Sequence, residues 1–243
     1  MNTNWFNKWF NSSYYDLLYS NRDETEAEAF IRAILNSIEL PEESNILDMA
    51  CGTGRHSAVM DKLGHYVTGI DLSRRKILEA NSRTLDRSEF LIHDMRIPFR
   101  INYFRLALNI FTSMGYSGIN KDNQLVMNAA ASGLIKGGTM VVDFLNPLYV
   151  TKNLVEKETI ERGNVIFNLT RSIENDSVRK DIKITDGDIS KGFVERVQLI
   201  SKDNFLEYFE QAGLKVNAIY GDYQLNTFVA DTSERMIFVT TKV

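Results

Sequence analysis

Two kinds of hydrophobic pattern alternate along the first 149 residues of the chain. Short, nearly continuous apolar runs predict five strands, at residues 45–49, 66–70, 89–92, 106–111 and 139–145. Apolar residues at helical spacing predict helices, at residues 1–20, 24–40, 54–63, 73–84 and 122–134. Because strands and helices alternate, this part of the sequence predicts a parallel sheet covered by helices on both faces.

The pattern changes after Pro147. Polar and apolar residues alternate along residues 157–200, which predicts three or four antiparallel strands. Clusters of turn-forming residues interrupt this alternation, at 161–164, 174–176 and 186–188. One helix and two strands complete the chain, at 201–213, 215–220 and 236–241. The predicted fold is therefore α/β, a doubly wound and mostly parallel sheet with an antiparallel β insertion before the last helix.

Composition narrows the classes of function. The chain has 243 residues, 44% hydrophobic and 25% charged, as in ordinary globular proteins. Its net charge of −4 makes it a poor binder of phosphate backbones, so no nucleic-acid partner is expected. No stretch reaches the ~18 apolar residues of a membrane span, and the start lacks the apolar segment of a signal peptide. A single cysteine permits no disulfide within the chain, which is typical of a reducing compartment, so the protein is expected to be cytoplasmic. It is also expected to have no membrane partner and to be a monomer or homodimer.

The most specific motif is ILDMACGTGRHS, Ile46 to Ser57, where a strand leads through a glycine-rich turn into a helix. Gly52 and Gly54 have no Cβ, so the backbone can approach a ligand closely. Asp48 precedes this turn, where it would repel a pyrophosphate and attract a cation. S-adenosylmethionine (SAM) carries an ammonium and a sulfonium and no phosphate. The alternative is that Asp48 only caps the turn.

Two more carboxylates follow the next two predicted strands. Asp71 comes 23 residues after Asp48, where it can accept both hydroxyls of a ribose or, alternatively, cap the next helix. Asp94 comes 23 residues later still and can accept a hydrogen bond from an adenine amino group, with Met95 supplying a backbone donor. Carboxylates at three successive strand ends are more specific than any one of them.

These residues resemble the class I SAM-dependent methyltransferase family. D-x-A-C-G-T-G, GIDLS and HDM look like its first three motifs, and NIFTSMGYS resembles the fourth-strand end of a bacterial small-molecule subgroup. The resemblance covers residues 40–146 and the end of the chain. It implies a Rossmann-like sheet of seven strands, SAM as cofactor with S-adenosylhomocysteine (SAH) as product, and methyl transfer to an unidentified small-molecule acceptor.

The resemblance also implies which residues contact the cofactor. They are Ala50, Gly52 and Gly54 for the methionine part, Asp71 and Leu72 for the ribose, Asp94 and Met95 for the adenine, and Asn109 and Phe111 near the sulfonium. The subgroup often has an aspartate in the fourth strand where this chain has Arg105, and this departure leaves open whether Arg105 alters the acceptor site.

The segments around this core receive separate predictions. Residues 1–40 are expected to form a helical flap, residues 150–200 a lid over the substrate, and residues 41–149 and 201–243 the SAM-binding core. In the flap, Tyr14, Tyr19 and Arg22 are predicted to reach the cofactor, Arg22 by pairing with its carboxylate. The alternative is that the aromatic residues of the flap only fill a hydrophobic groove.

The acceptor side is less defined, because methyl transfer demands no particular catalytic side chain. The candidates for catalysis are Tyr116, Asn146, Glu195 and Arg196, which lie on the loops after the fourth and fifth strands and on the insertion. No cluster of residues has the spacing of a metal site. Two other functions remain open, a SAM- or SAH-binding protein without transfer activity and a nicotinamide-dependent oxidoreductase. Ser57, at the place of a third glycine, and Asp48 both argue against the oxidoreductase.

Overall fold

The computed structural model describes residues 5–20 and 24–243. Within them the helices are Trp5–Phe10 (α1), Ser13–Leu18 (α2), Glu24–Ser37 (α3), Arg55–Lys62 (α4), Arg74–Asn81 (α5), Asn120–Gly133 (α6), Pro147–Lys152 (α7) and Lys202–Gln211 (α8). The strands are Asn45–Met49 (β1), Tyr66–Asp71 (β2), Ser88–Ile92 (β3), Phe104–Asn109 (β4), Leu134–Leu145 (β5), Lys157–Arg162 (β6), Val165–Glu174 (β7), Ser177–Asp186 (β8), Ile189–Gln198 (β9), Leu214–Tyr220 (β10) and Arg235–Lys242 (β11).

The main sheet has seven strands in the order β10-β11-β5-β4-β1-β2-β3. The pairs β5-β4, β4-β1, β1-β2 and β2-β3 are parallel, whereas β11 runs antiparallel to both of its neighbours. This order places β1 and β4 side by side at the centre, where the chain reverses its direction of winding. The predicted doubly wound, mostly parallel sheet is confirmed, and such a reversal is where α/β sheets bind ligands.

Helices cover both faces of this sheet. In β1, Ile46 packs with Phe30 of α3 in one layer, whereas Leu47 belongs to the opposite layer with Phe205 of α8. Strand β1 thus has apolar side chains on both faces because both are buried, as expected of a central parallel strand. None of the helices within the described ranges has the length and apolar character that a membrane crossing requires.

The predicted antiparallel insertion is a second sheet, in the order β6-β7-β8-β9, and it precedes the last helix. Each strand pairs with the next in antiparallel orientation, and a two-residue turn connects them. Phe167 and Ile182 on one face of this sheet pack with Trp9 and Leu18 from the start of the chain. The aromatic N-terminal segment therefore has its own hydrophobic contacts with the insertion.

Three local predictions differ from the structure. The start of the chain forms two short helices rather than one, because Ser12 caps the second helix by accepting a hydrogen bond from the Tyr14 N–H. The turn expected at 136–138 lies inside β5, where the register with β4 shifts between Phe104 and Leu106. The short helix α7 was not predicted, although Asn146 caps it.

Gly54 provides a stability test of the glycine-rich turn. Its φ is +74°, and an added Cβ would lie 2.7 Å from the ring of Phe90, which is buried in a cluster beneath the turn. Gly64 has a φ of +90° with nothing within 4 Å. We expect Gly64→Ala to cost about 1 kcal/mol from backbone strain and Gly54→Ala about 1–3 kcal/mol more, measured by urea unfolding. Equal costs would contradict a clash with Phe90.

Candidate active site

A cavity of about 400 Å³ opens at the carboxyl ends of β1, β2, β3 and β4, beneath α1 and α2. Its walls come from the turn after β1, the loops after β2 and β3, the residues 110–117 after β4, and the first turns of α6. This volume lies within the range of small-molecule sites. The sheet therefore brings together residues that are far apart in sequence.

Asp48 is the most buried carboxylate on the cavity wall, at 1% exposure. The Ser57 hydroxyl donates a hydrogen bond to its Oδ2 at 2.6 Å. Burial raises the pKa of Asp48 to about 6, although the hydrogen bond from Ser57 opposes the rise. A carboxylate held in this way is stabilised in its ionised form by a cation in the cavity.

Asp71 is fixed at the end of β2 by two backbone donors. The Gly52 N–H donates to Oδ2 at 3.0 Å, and the Ser73 N–H donates to Oδ1 at 2.8 Å. Each carboxylate oxygen keeps further lone pairs for a ligand, and Asp71 lines the cavity. Ala50 and Gly52 adopt the left-handed conformation, with φ of +62° and +58°. The carboxylate and the turn thus hold each other in place.

Asp94 also lines the cavity but is paired within the protein. The Arg96 guanidinium donates to both of its oxygens, at 2.6 and 3.1 Å, and also contacts Asp122 on α6 at 2.9 Å. The hydrogen bonds from Arg96 lower the pKa of Asp94. Asp94, predicted from the sequence as an acceptor for adenine, therefore belongs to an ion-pair network with Arg96 and Asp122.

The floor of the cavity contains a strained pair of residues. Phe111 and Thr112 have φ of +59° and +57°, which is unfavourable for side chains with a Cβ. Asp143, fully buried on β5, accepts a hydrogen bond from the Phe111 N–H at 2.8 Å and pairs with Arg235 at 2.7 Å. Phe111 in turn stacks on His56, with ring centroids 5.0 Å apart. A buried ion pair thus fixes the aromatic floor.

The roof is formed by α1 and α2, which attach to the insertion through Glu195 of β9. The Trp9 indole donates to Glu195 at 2.6 Å, the Tyr19 hydroxyl donates at 2.8 Å, and Lys180 forms an ion pair with it. Burial alone would raise the pKa of Glu195, but Lys180 and the two hydrogen bonds together lower it. The Glu195 carboxylate is consequently occupied by contacts that attach α1 and α2 to the insertion.

The structure separates the predicted cofactor residues into two groups. Those on the cavity wall are Tyr19, Asp48, Ala50, Gly52, Asp71, Leu72, Asp94, Met95 and Phe111. Three others in the described chain lie off the wall: Tyr14 donates to Asp186, Gly54 packs against Phe90, and Asn109 is buried behind the floor. Arg22 lies outside the described residues.

Of the four candidates for catalysis, Tyr116 lines the cavity. Its hydroxyl donates to the Thr112 carbonyl at 2.5 Å. Asn146 caps α7 and donates to two carbonyls of the loop before β11, and Arg196 pairs with Glu174 at 3.8 Å. In the described part of the chain, Asn146, Glu195 and Arg196 therefore do not line the cavity, and each has a partner within the protein.

Several residues that line the cavity were not predicted as site residues. His56 and Arg55 begin α4 directly after the glycine-rich turn, and Lys76 lies on α5. The position of His56 and Arg55 beside the strongest motif was a usable signal. Nothing in the sequence indicated Lys76, because the helical spacing of α5 alone does not say which side chains point into a cavity.

The sheet order and the cavity at its switch point are those of an α/β protein that binds a small molecule at the carboxyl ends of its strands. Residues 46–138 match a family model described as a methyltransferase domain. A relative from Streptomyces venezuelae, dTDP-3-amino-3,4,6-trideoxy-alpha-D-glucopyranose N,N-dimethyltransferase, is 31% identical over 219 residues, which cover 85% of this chain and 91% of the relative.

Two solved structures share the fold of this chain, and the first is also similar to it in sequence. DesVI of Streptomyces venezuelae has a TM-score of 0.71 at 27% identity, over 94% of this chain and 97% of DesVI. A SAM-dependent methyltransferase from Clostridium acetobutylicum ATCC 824 has a TM-score of 0.80 at 19% identity, over 94% and 95% of the two chains.

The chain belongs to the class I SAM-dependent methyltransferase family. Its cofactor is SAM, and it is an enzyme that transfers a methyl group to a small-molecule acceptor. The two other functions left open by the sequence, binding without transfer and nicotinamide-dependent oxidation, are not favoured by these relationships.

Proposed function

We propose that this enzyme methylates the amino nitrogen of an amino sugar. The observation that carries the proposal is the relative from Streptomyces venezuelae, whose name gives a dTDP-linked amino sugar as the substrate and which aligns over 91% of its own length. An amine needs no strong base for methylation once it has lost its proton. This agrees with the hydrogen bonds that already occupy two of the predicted catalytic candidates, since the Tyr116 hydroxyl donates to the Thr112 carbonyl and Glu195 accepts from Trp9 and Tyr19.

In this proposal the cofactor lies along the ends of β1, β2 and β3. Asp48 faces its cationic groups, the turn at Ala50 and Gly52 lies against its methionine part, and Asp71 accepts its ribose hydroxyls. The buried carboxylate with a raised pKa and the fixed lone pairs of Asp71 are the features that fit SAM. When bound, SAM supplies an electrophilic methyl group.

The acceptor is assigned to the end of the cavity formed by residues 113–117 and α6. Ser113, Tyr116 and Asn123 line this end and are neutral polar groups of the kind that hold sugar hydroxyls. Because the Tyr116 hydroxyl already donates to a backbone carbonyl, we assign Tyr116 to orienting the acceptor and not to removing its proton. The ammonium formed by methyl transfer loses its proton to solvent when the cover over the cavity opens.

The covering elements are assigned to excluding water. α3 packs on the main sheet, so we place the flap in residues 5–20 rather than in all of residues 1–40. The insertion, which was predicted as a lid, would act by holding this flap through Glu195. A closed roof keeps the acceptor amine in contact with the methyl group of SAM and oriented for methyl transfer.

The test is methyl transfer from SAM to matched acceptors, followed by mass spectrometry. We expect a dTDP-linked 3-amino sugar to gain one and then two methyl groups, and its 3-hydroxy counterpart to gain none. The unlinked amino sugar shows whether the nucleotide is required. Transfer to the hydroxy compound, or cofactor binding without transfer to any amine, would contradict the proposal. The Asp71→Ala variant serves as the inactive control.

The raised pKa of Asp48 predicts a pH dependence of SAM binding. A cation favours ionised Asp48, so we expect SAM affinity to fall roughly tenfold for each pH unit below about 6. Asp48→Asn should bind SAM more weakly and lose this dependence. Ser57→Ala removes the hydrogen bond that lowers the pKa of Asp48, so the pH at which SAM affinity begins to fall should be higher in this variant. Calorimetric titrations between about pH 5 and about pH 7 measure all three.

The same pKa makes a second, opposite prediction for the free protein. The pKa of Asp48 is raised from 3.8, so its contribution to stability is present at low pH and is lost as the pH rises through about 6. Between about pH 4 and about pH 6, wild type should lose up to about 3 kcal/mol of unfolding free energy relative to Asp48→Asn. A constant difference would show that folding does not raise the pKa of Asp48.

A further inference from the structure

Lys76 is a lysine whose side chain lies inside the molecule. It is 8% exposed, projects from α5 and lines the cavity. Its stem passes beside the glycine-rich turn, since its Cδ lies 4.0 Å from the position that a Cβ on Gly52 would take. A lysine is almost never buried unless its ammonium has a partner.

The described residues supply this ammonium with aromatic rings but with no hydrogen-bond acceptor. Its Nζ lies 4.2 Å from the ring centroid of Tyr15 and 5.6 Å from that of Phe10, both in the flap. Burial lowers the pKa of Lys76, and the nearby carboxylates of Asp71 and Asp16 only partly oppose this. Cation–π contacts do not satisfy its N–H groups, which remain open to a hydrogen-bond acceptor in the cavity that Lys76 lines.

A ligand beside Asp71 would supply the missing acceptor. The two oxygens of Asp71 each accept one backbone N–H and keep lone pairs for ribose hydroxyls. A hydroxyl that donates to a carboxylate still has lone pairs, so it can accept from an ammonium at the same time. Asp71 can therefore accept the hydrogen bond that a ribose hydroxyl donates, and Lys76 can donate one that the same hydroxyl accepts.

We propose that Lys76 is a further cofactor-binding residue, whose ammonium donates a hydrogen bond to a ribose hydroxyl of SAM or SAH while remaining against the flap rings. The proposal rests on the assignment of SAM as cofactor and is independent of the acceptor. One cation would thereby link the bound ribose to Tyr15 and Phe10, so that cofactor binding stabilises the closed flap.

The test is calorimetric titration with three ligands. SAH has the complete ribose, 5′-methylthioadenosine keeps the ribose but lacks the amino-acid part, and 2′,3′-dideoxy-SAH lacks both hydroxyls. Lys76→Met keeps the stem and removes the charge, and Lys62→Met makes the same change at an exposed lysine of α4. Unfolding without ligand checks that both variants are folded.

We expect Lys76→Met to bind SAH and 5′-methylthioadenosine about tenfold more weakly, a change of about 1.4 kcal/mol, and the dideoxy compound as wild type does. Lys62→Met should match wild type throughout. Unchanged SAH affinity in Lys76→Met would overturn the proposal. An equal loss with the dideoxy compound would assign Lys76 to the flap alone, and a loss confined to SAH would assign it to the amino-acid part, so either result overturns it. Failure of wild type to bind SAH would instead refute the cofactor site.

Discussion

Asp71→Ala is expected to weaken SAM and SAH binding by about 100-fold or more. In the proposed site, the substitution removes the acceptor of two ribose hydroxyls, and a hydrogen bond to a charged group is worth about 1.5–3 kcal/mol. It also releases the N–H groups of Gly52 and Ser73, which the carboxylate holds at 3.0 and 2.8 Å. Calorimetric titration with SAH measures the loss.

Asp61→Ala is the matched control for this loss. Asp61 also accepts a backbone N–H, from Arg87 at 2.8 Å, and the Ser88 hydroxyl at 2.8 Å, but it does not line the cavity in the described structure. Its substitution should lower stability and leave SAH affinity near that of wild type. If both variants lost affinity equally, Asp71 would have a structural role and no direct part in binding.

Asp143→Ala is expected to destabilise the free protein by about 3–5 kcal/mol. The change leaves the Arg235 guanidinium, 17% exposed, without its carboxylate. It also removes the acceptor of the Phe111 N–H, which helps to hold two residues at positive φ. For a protein of this size the expected decrease in Tm is about 6–20 °C, measured by calorimetry without ligand.

Two variants separate the causes of this effect. Asp143→Asn keeps an oxygen that can accept from the Phe111 N–H, so it should cost less than Asp143→Ala and preserve more activity. Glu28→Ala breaks the ion pair with Arg32, in which both side chains are 52% exposed, and should cost less than about 1 kcal/mol. If Asp143→Ala cost no more than Glu28→Ala, the buried pair would not be what fixes the floor of the cavity.

The sequence was most informative where the chemistry lies at strand ends. Asp48, Asp71 and Asp94 were expected at one edge of a sheet, and all three line the cavity. This inference succeeds because parallel strands joined by helices place their carboxyl ends on the same side. It needs only the order of strands and helices, which hydrophobic periodicity reveals.

The sequence was less informative about what surrounds those carboxylates. Arg96 is two residues from Asp94, yet the ion pair depends on the loop that brings both to Asp122 of α6. Tyr14 was expected at the cofactor, but its hydroxyl reaches Asp186 on the insertion, 172 residues away. Short side chains at a turn are placed by local geometry, whereas long ones on a flap are placed by whatever packs against it.

The sequence by itself therefore determined the α/β fold, its antiparallel insertion and the three carboxylates along the cavity edge. Only the tertiary structure decided that Glu195 holds the flap through Trp9 and Tyr19, and that Lys76 points into the cavity. The physical reason is the range of the interactions. Periodicity and turn chemistry act within about one element, whereas a buried charge depends on partners from distant segments that meet only when the layers pack.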